Sequence, residues 1–213
     1  MIIRARFDWI TFAFIIGLLP VLSCGTSTTF VDTWKDPDAK PLAFTKVITL
    51  AIVQDETNRR IIEDQFCKNI KNPNVECVRS WTILPEDRVS DVEFAKARIA
   101  EGGFDGAITV RLVGLDEKTR HITTGYVASY ATTPYYNPFW GYYSYAWPVV
   151  YQSGSTDITQ SVRVETNIYS VTEERLLWSG ISETLDPKSI RTMVDEIAGE
   201  AAAILRDEGL IKN

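Results

Sequence analysis

The chain reads as an α/β (α+β) domain, with one mixed β-sheet and three helices packed mainly on one face in two layers. Three observations predict this. Lys46–Val53 is an apolar, β-branched run, a segment of helical period follows it, and Val75–Trp81 is a second strand-like run. Strand, helix, strand at that spacing predicts parallel pairing. Ile158, Val162, Val164 and Ile168 instead alternate with polar residues, including Arg163, Glu165 and Asn167, which predicts an antiparallel strand with one wet face.

The elements follow in order. Gly25–Thr29 reads as a polar tether, and Thr33-Trp34-Lys35-Asp36-Pro37 as an extended start closed by a turn. Lys46–Val53 has no polar alternation, so it is expected to be buried on both faces. Asn58 can cap a helix whose stripe is Ile62, Phe66 and Ile70, ended by Asn72-Pro73-Asn74. Ser90 and Glu93 have capping-box spacing, Val92, Ala95 and Ile99 form the next stripe, and Gly102-Gly103 supplies a left-handed stop. Gly106–Leu115 is a third strand, and Ile122, Tyr126 and Tyr130 suit a fourth. After the alternating strand, Thr172-Glu173-Glu174 turns the chain into Arg175–Thr184. Asp186 then stands as cap and Pro187 at the first position of a closing helix. Ile190, Val194, Ile197, Ala201 and Ile204 make its stripe before Gly209.

The beginning of the chain has a different logic. Arg4 and Arg6 are followed by Trp9–Leu22, an uncharged and mostly apolar run, and then by Ser23 and Cys24. Positive start, apolar core and small residue in that order are the pattern of an export signal. Fourteen helical residues span about 21 Å, short of the ~30 Å hydrocarbon core that a permanent span must cross. Val21-Leu22-Ser23-Cys24 resembles the lipobox of bacterial lipoproteins. That resemblance implies cleavage before Cys24 and lipidation of its thiol. The expected organisation is residues 1–23 as lipoprotein signal peptide, 24–32 as lipidated cysteine and tether, and 33–213 as a single domain. An aromatic-rich loop interrupts that domain at 130–151.

Charge and cysteine content narrow the function. The whole chain carries net −6 and residues 1–23 carry +1, leaving −7 on the mature part. No Lys/Arg cluster occurs, so neither nucleic acid nor anionic lipid is expected to be held by charge. Besides Cys24 the chain has only Cys67 and Cys77. An even pair in an exported chain is a disulfide candidate. The single histidine, His121, and the lack of a C-x-x-C pair give no zinc site, and no metal or cofactor is expected. His121 reads as a turn residue, and neither G-x-S-x-G nor P-loop spacing occurs. Asp55, Glu56 and Asp105 lie near predicted strand ends and make the best candidate carboxylate cluster. Trp34, Trp81 and Trp178 read as core or sheet-face aromatics.

Tyr130–Tyr151 is the unusual stretch, with ten aromatics among 22 residues. Pro134, Pro138, Gly141 and Pro148 are expected to keep it irregular. Long loops of this composition are usually functional. Its rings could cover the domain's own sheet, bind a partner protein or glycan, or sit in a membrane interface. Tyr135, Tyr136, Trp140, Tyr142, Tyr143 and Trp147 are the candidate binding residues.

Several segments together resemble one known family. They are Thr33–Pro37, Phe44–Val53, Arg59-Arg60 with Glu63, Gly103-Phe104-Asp105-Gly106, Tyr169–Thr172, Leu177-Trp178-Ser179-Gly180, Ala203-Ile204-Leu205 and Gly209-Leu210-Ile211. In this order they resemble the bacterial envelope lipoproteins of domain-of-unknown-function family 4136, with Glu173-Glu174 where a Thr-Gly turn is more usual. The resemblance implies an α/β envelope lipoprotein and no catalytic residues. By likeness to lipoproteins of enteric bacteria, Gly25 after the cysteine implies an outer-membrane, periplasm-facing protein. The expected function is a non-catalytic binding or assembly role at the cell envelope, with a carboxylate-based hydrolase of envelope polymers as the alternative.

Overall fold

Residues 27–39, 44–70, 73–117, 138–147 and 160–207 are described by a computed structural model. Six strands form one mixed sheet: β1 (Ser27–Lys35), β2 (Lys46–Ile52), β3 (Glu76–Arg79), β4 (Gly106–Glu117), β5 (Gln160–Ser170) and β6 (Arg175–Leu185). Their spatial order is β1-β6-β5-β4-β2-β3. β2 is parallel to both β3 and β4, and the β4-β5-β6-β1 half is antiparallel. The described helices are α1 (Glu56–Ile70), α2 (Val92–Gly102), α3 (Phe139–Ala146) and α4 (Ile190–Asp207), with a 3-10 turn at Ser80–Thr82.

The α/β class and the mixed sheet are as the sequence predicts, but the described residues form four helices and these divide between the faces. Val47 and Ala51 of β2 pack into one core with Ile62 and Phe66 of α1 and Val194 and Ile197 of α4. Ile48, Leu50 and Ile52 point the other way, into a core with Ala95 and Ile99 of α2 and Phe139, Tyr142 and Tyr143 of α3. Chain direction explains the division. β3 lies on one side of β2 and β4 on the other, so the two crossovers run in opposite senses. Connections of one hand that run in opposite senses place their helices on opposite faces. The continuous apolar run of β2 follows from this, because both its faces are covered.

Helix starts are set by local carboxylates and hydroxyls, one to three residues away from the caps the sequence suggests. Asp55 precedes α1 and its Oδ1 accepts from the Asn58 N–H at 2.7 Å, so Asp55 takes the role expected of Asn58. Asp91 caps α2 by accepting from the Phe94 N–H at 3.0 Å. Ser90 belongs to the preceding turn, which closes with the Asp91 N–H on the Arg88 carbonyl, so the box with Glu93 does not form. Ser189 caps α4 through the Thr192 N–H at 3.1 Å. Asp186 instead sits at φ 48° in the connection, three residues too early to cap the helix. Gly103 does stop α2, at φ 65°.

Two further features place the ends of the domain. β1 begins at Ser27, paired with Leu185 of β6, so most of the expected tether is an edge strand of the sheet. Phe30 of β1 meets Trp178 of β6 edge-on at 5.5 Å, and Gly180 leaves the space for that contact. The fourth strand expected around Ile122–Tyr130 and the stop at Gly209 lie outside the described residues.

Cys67 near the end of α1 is bonded to Cys77 of β3, with Cα atoms 5.4 Å apart. The bond ties α1 to the short edge strand β3 where the chain doubles back. Closing a loop of this length removes about 3 kcal/mol of unfolded-state entropy in the chain-entropy model. Replacing both cysteines by alanine should therefore lower unfolding free energy by about 2–4 kcal/mol in a urea titration. A change below about 0.5 kcal/mol would show that the bond adds nothing to the closed loop.

Candidate functional site

In doubly wound sheets, ligands enter where neighbouring strands send their connections to opposite faces. Here that crevice lies beyond the carboxyl ends of β2, which leads to α1, and β3, which leads toward α2. It is filled by the chain's own side chains. β3 has only four residues, so backbone donors beyond it have no strand partner. Glu63 of α1 replaces that partner. Its Oε1 accepts from the Ala51 N–H at 3.1 Å and from the Ser80 hydroxyl at 2.6 Å, and its Oε2 accepts from the Trp81 N–H at 3.1 Å.

Arg59 completes this centre. Its guanidinium donates to Glu63 at 3.3 Å, Glu56 at 3.3 Å, the Ser80 hydroxyl at 2.8 Å and the Leu84 carbonyl at 2.9 Å. Both Arg59 and Glu63 are buried. Burial pushes the Glu63 carboxyl above its usual range, against the Ser80 hydrogen bond and the Arg59 charge. A pair so fully occupied holds the crevice shut and offers no atom to a substrate.

A second ionic centre lies under α3. Phe139, Tyr142, Tyr143 and Ala146 are fully buried and recur at i, i+3, i+4 and i+7, the stripe of a helix laid on a sheet. The Tyr142 hydroxyl donates to Glu165 of β5 at 2.6 Å. Arg111 of β4 donates to the same carboxylate oxygen at 3.2 Å, and its guanidinium lies over the Tyr142 and Tyr145 rings at 5.7 and 5.6 Å. Next in the strands, Asn167 accepts from Ser179, while Asn167 Nδ2 and Thr109 Oγ1 have no hydrogen-bond partner among the described residues. The face of β5 expected to be wet is thus dry over Glu165 and Asn167, because α3 covers it.

The predicted site residues are not brought together as one surface. Tyr142 and Tyr143 are core residues, which corrects their assignment as binding contacts. The Tyr143 hydroxyl donates to the Val89 carbonyl. Trp140 and Trp147 are half-buried, and the Lys96 ammonium sits over the Trp140 ring at 5.8 Å. Cys24, Tyr135, Tyr136 and His121 lie outside the described residues. Pro138 does not break α3 but precedes it as N-cap, where a missing N–H costs nothing.

The candidate carboxylate cluster does not assemble either. Asp55 and Glu56 lie at the carboxyl end of β2, in the first turn of α1 and its cap. Asp105 lies at the opposite end, where it accepts from Thr45 N–H, Thr45 Oγ1 and Lys46 N–H at 2.7, 2.7 and 3.0 Å. The seven-residue β2 separates them by about 20 Å. Trp178 is a core residue, and Trp34 and Trp81 are half-buried. Among the described residues, no three His, Cys, Asp or Glu side chains converge as metal ligands, and no helix is long and apolar enough to cross a membrane. Sequence reasoning missed Arg111 and Glu165, for which an isolated charge on each of two strands was the only signal. Arg59 and Glu63 carried a clearer one, their i, i+4 spacing at the start of a helix.

No protein-family model matches the chain, and no curated protein matches it. Among solved structures it is similar to the PelC dodecamer from Paraburkholderia phytofirmans, with 11% identity over 88% of this chain and 100% of that one, at TM-score 0.42. A variant of the same dodecamer in another crystal form gives 8% identity over 86% and 98%, at TM-score 0.40. The likeness is distant.

Two outcomes follow. Glu63→Ala strands the Arg59 charge and two backbone donors, and should cost about 3–5 kcal/mol in denaturant unfolding. The pair Arg59→Met with Glu63→Leu should restore only the part owed to the stranded charge, since the Ala51 and Trp81 N–H groups stay unpaired. A loss equal to or larger than the single mutant's would deny the charge its share of the cost. The tyrosines supply the second outcome. Burial is the main cause that holds the phenols of Tyr142 and Tyr143 well above their usual value. Both stay protonated where the unfolded chain's tyrosines ionise, so their contribution is full below about pH 10 and lost as pH rises further. Stability measured from pH 8 to 12 should fall above that point, and less steeply for Tyr143→Phe. Equal slopes for the variant and the parent would contradict this.

Proposed function

We propose that this protein is an exported lipoprotein, anchored at Cys24 and facing the periplasm from the outer membrane, whose domain binds or organises an envelope component without turning it over. The observation that carries the reading is the Cys67–Cys77 bond in a chain whose leader-like residues 1–23 end Leu22-Ser23, directly before Cys24. A bonded pair belongs with an oxidising compartment outside the cytoplasm. Resemblance to domain-of-unknown-function family 4136 and to the lipobox supports the same address, and Gly25 supports the outer leaf of that choice. The non-catalytic part is supported by two features of the site. Its buried ion pairs are spent on the fold, and the carboxylates of the hydrolase alternative sit at opposite ends of the sheet.

Metabolic incorporation of a fatty-acid probe tests the anchor. The wild type should be labelled and sediment with outer-membrane vesicles, and Cys24→Ala should lose the label. Label that persists on the alanine variant, or recovery only with inner membranes, would count against the reading. Crosslinking in intact cells would then identify the partner, a protein or a glycan.

A further inference from the structure

We infer that the domain seats one particular end of its sheet on the lipid surface, namely the end where β1 starts and β6 finishes. The inference rests on the proposed anchor at Cys24. Only Gly25 and Thr26 separate that residue from Ser27, the first residue of β1. Three residues reach no more than about 11 Å when extended. Ser27 is paired with Leu185 and is therefore fixed to the sheet, not to a flexible arm.

The register then orients the whole domain. Leu185 is opposite Ser27 on one side and Ser161 of β5 on the other, and Ser161 is opposite Asp116 of β4. The row Ser27–Leu185–Ser161–Asp116 is thus the end nearest the anchor. At the far end, Ser170 pairs with Arg175, ten residues back along β6. That is about 34 Å away.

The exposed apolar side chains gather toward the anchored end. Val31, Tyr145, Leu185 and Ile190 are the large hydrophobic residues exposed among those described. Leu185 lies in the terminal row and Ile190 opens α4 five residues later. Val31 is the bulged residue of β1, between Phe30 and Asp32, four positions from Ser27. Tyr145 stacks near Arg111, whose row, Arg111–Glu165–Ile181–Asp32, is the row of that bulge. At the far end, by contrast, the β5–β6 turn exposes Thr172, Glu173 and Glu174. Burial of exposed Leu, Ile and Tyr side chains in a headgroup boundary is favourable, and Tyr prefers that depth. The connection next to Leu185 carries Asp186 and Lys188, one charge of each sign, so attraction to anionic lipid does not set the orientation.

Site-directed spin labelling of the full-chain protein purified from membranes and reconstituted in phosphatidylethanolamine–phosphatidylglycerol vesicles tests this. Leu185→Cys and Thr172→Cys each add one free thiol, since Cys67 and Cys77 are bonded to each other. Mass spectrometry of the same samples reads whether Cys24 is acylated. With Cys24 acylated, the label at 185 should be several-fold more accessible to oxygen relative to a water-soluble nickel chelate than the label at 172. Equal ratios, or the reverse order, on acylated protein would overturn the seating and leave the anchor standing. Shielding of position 185 from both reagents in native envelopes, without the oxygen preference in vesicles, would assign that end to a protein or glycan partner and also overturn it. An unacylated Cys24 would overturn the anchor reading, and the seating with it.

Discussion

The contact on which the rest of the fold depends is the one between Glu63 and the backbone just beyond β3. A four-residue edge strand leaves the next stretch of β2 without a ladder, and an unpaired buried N–H costs as much as a lost hydrogen bond. Glu63 accepts from Ala51 on β2 and from Trp81 past the end of β3, so one side chain does what two more residues of strand would do. A bare carboxylate could not be buried there. Arg59 supplies the compensating charge and is itself held by Ser80 and Leu84. The result fixes α1, β2 and the 3-10 turn to one another at one point. It also occupies the crevice that this topology leaves open for ligands.

That occupation shifts attention to the opposite face, where α3 does an analogous job with aromatic rings. Phe139 and Tyr142 pack on Tyr169 of β5 at 5.3 and 5.8 Å between ring centres. The packing would fail around Glu165 without a partner for its charge. Arg111 comes from the neighbouring strand at the paired register position, and the Tyr142 hydroxyl donates from above. Among the described residues, the two buried carboxylates, Glu63 and Glu165, are each met by an arginine and a hydroxyl. Such pairs contribute less to stability than an apolar core of equal volume, but removing one member is costly. They restrict which helix can lie on which part of the sheet.

Much of this order is legible in the sequence, and its failures have physical causes. β2 is readable because six buried residues in a row leave no polar alternation to mislead. The disulfide was readable because two cysteines flank a helix-to-strand reversal. At Glu165 and Asn167 of β5 the alternation misleads, because it reports polarity and not solvent. A polar side chain with a cross-strand partner can face a dry layer as well as a wet one. The aromatic helix was missed for the converse reason. Phe139, Tyr142, Tyr143 and Ala146 spell a helical period, yet Pro138 and Gly141 weigh against a helix when position is ignored. Proline at an N-cap removes no bond the helix would have made. Cap residues were displaced by one to three positions, since Ser, Asp and Asn compete locally and only the tertiary path decides which one accepts.

The division of the described helices, two on each face, had one sign in the sequence, the apolar run of β2, and it matters most for how the domain can act. A two-layer domain has an open sheet face on which to bind something. This sheet is covered on both faces across β2, β4 and β5, so a partner is left with edges and ends. β3 is one edge, shortened to four residues and stapled by its disulfide, with its backbone finished off by Glu63. β1 is the other, nine residues long and broken by the bulge at Val31, a device that makes an edge harder to extend with a further strand. Both edges are therefore poor templates for strand addition. Among the described residues, what remains are the two ends of the sheet, about 34 Å apart along β6. They differ in chemistry: Leu185 is exposed where β1 begins, and Thr172, Glu173 and Glu174 are exposed at the opposite turn. If the domain is anchored as proposed, its covered faces and blunted edges leave the first end to meet the membrane and the second, exposing Thr172, Glu173 and Glu174, to face away from it.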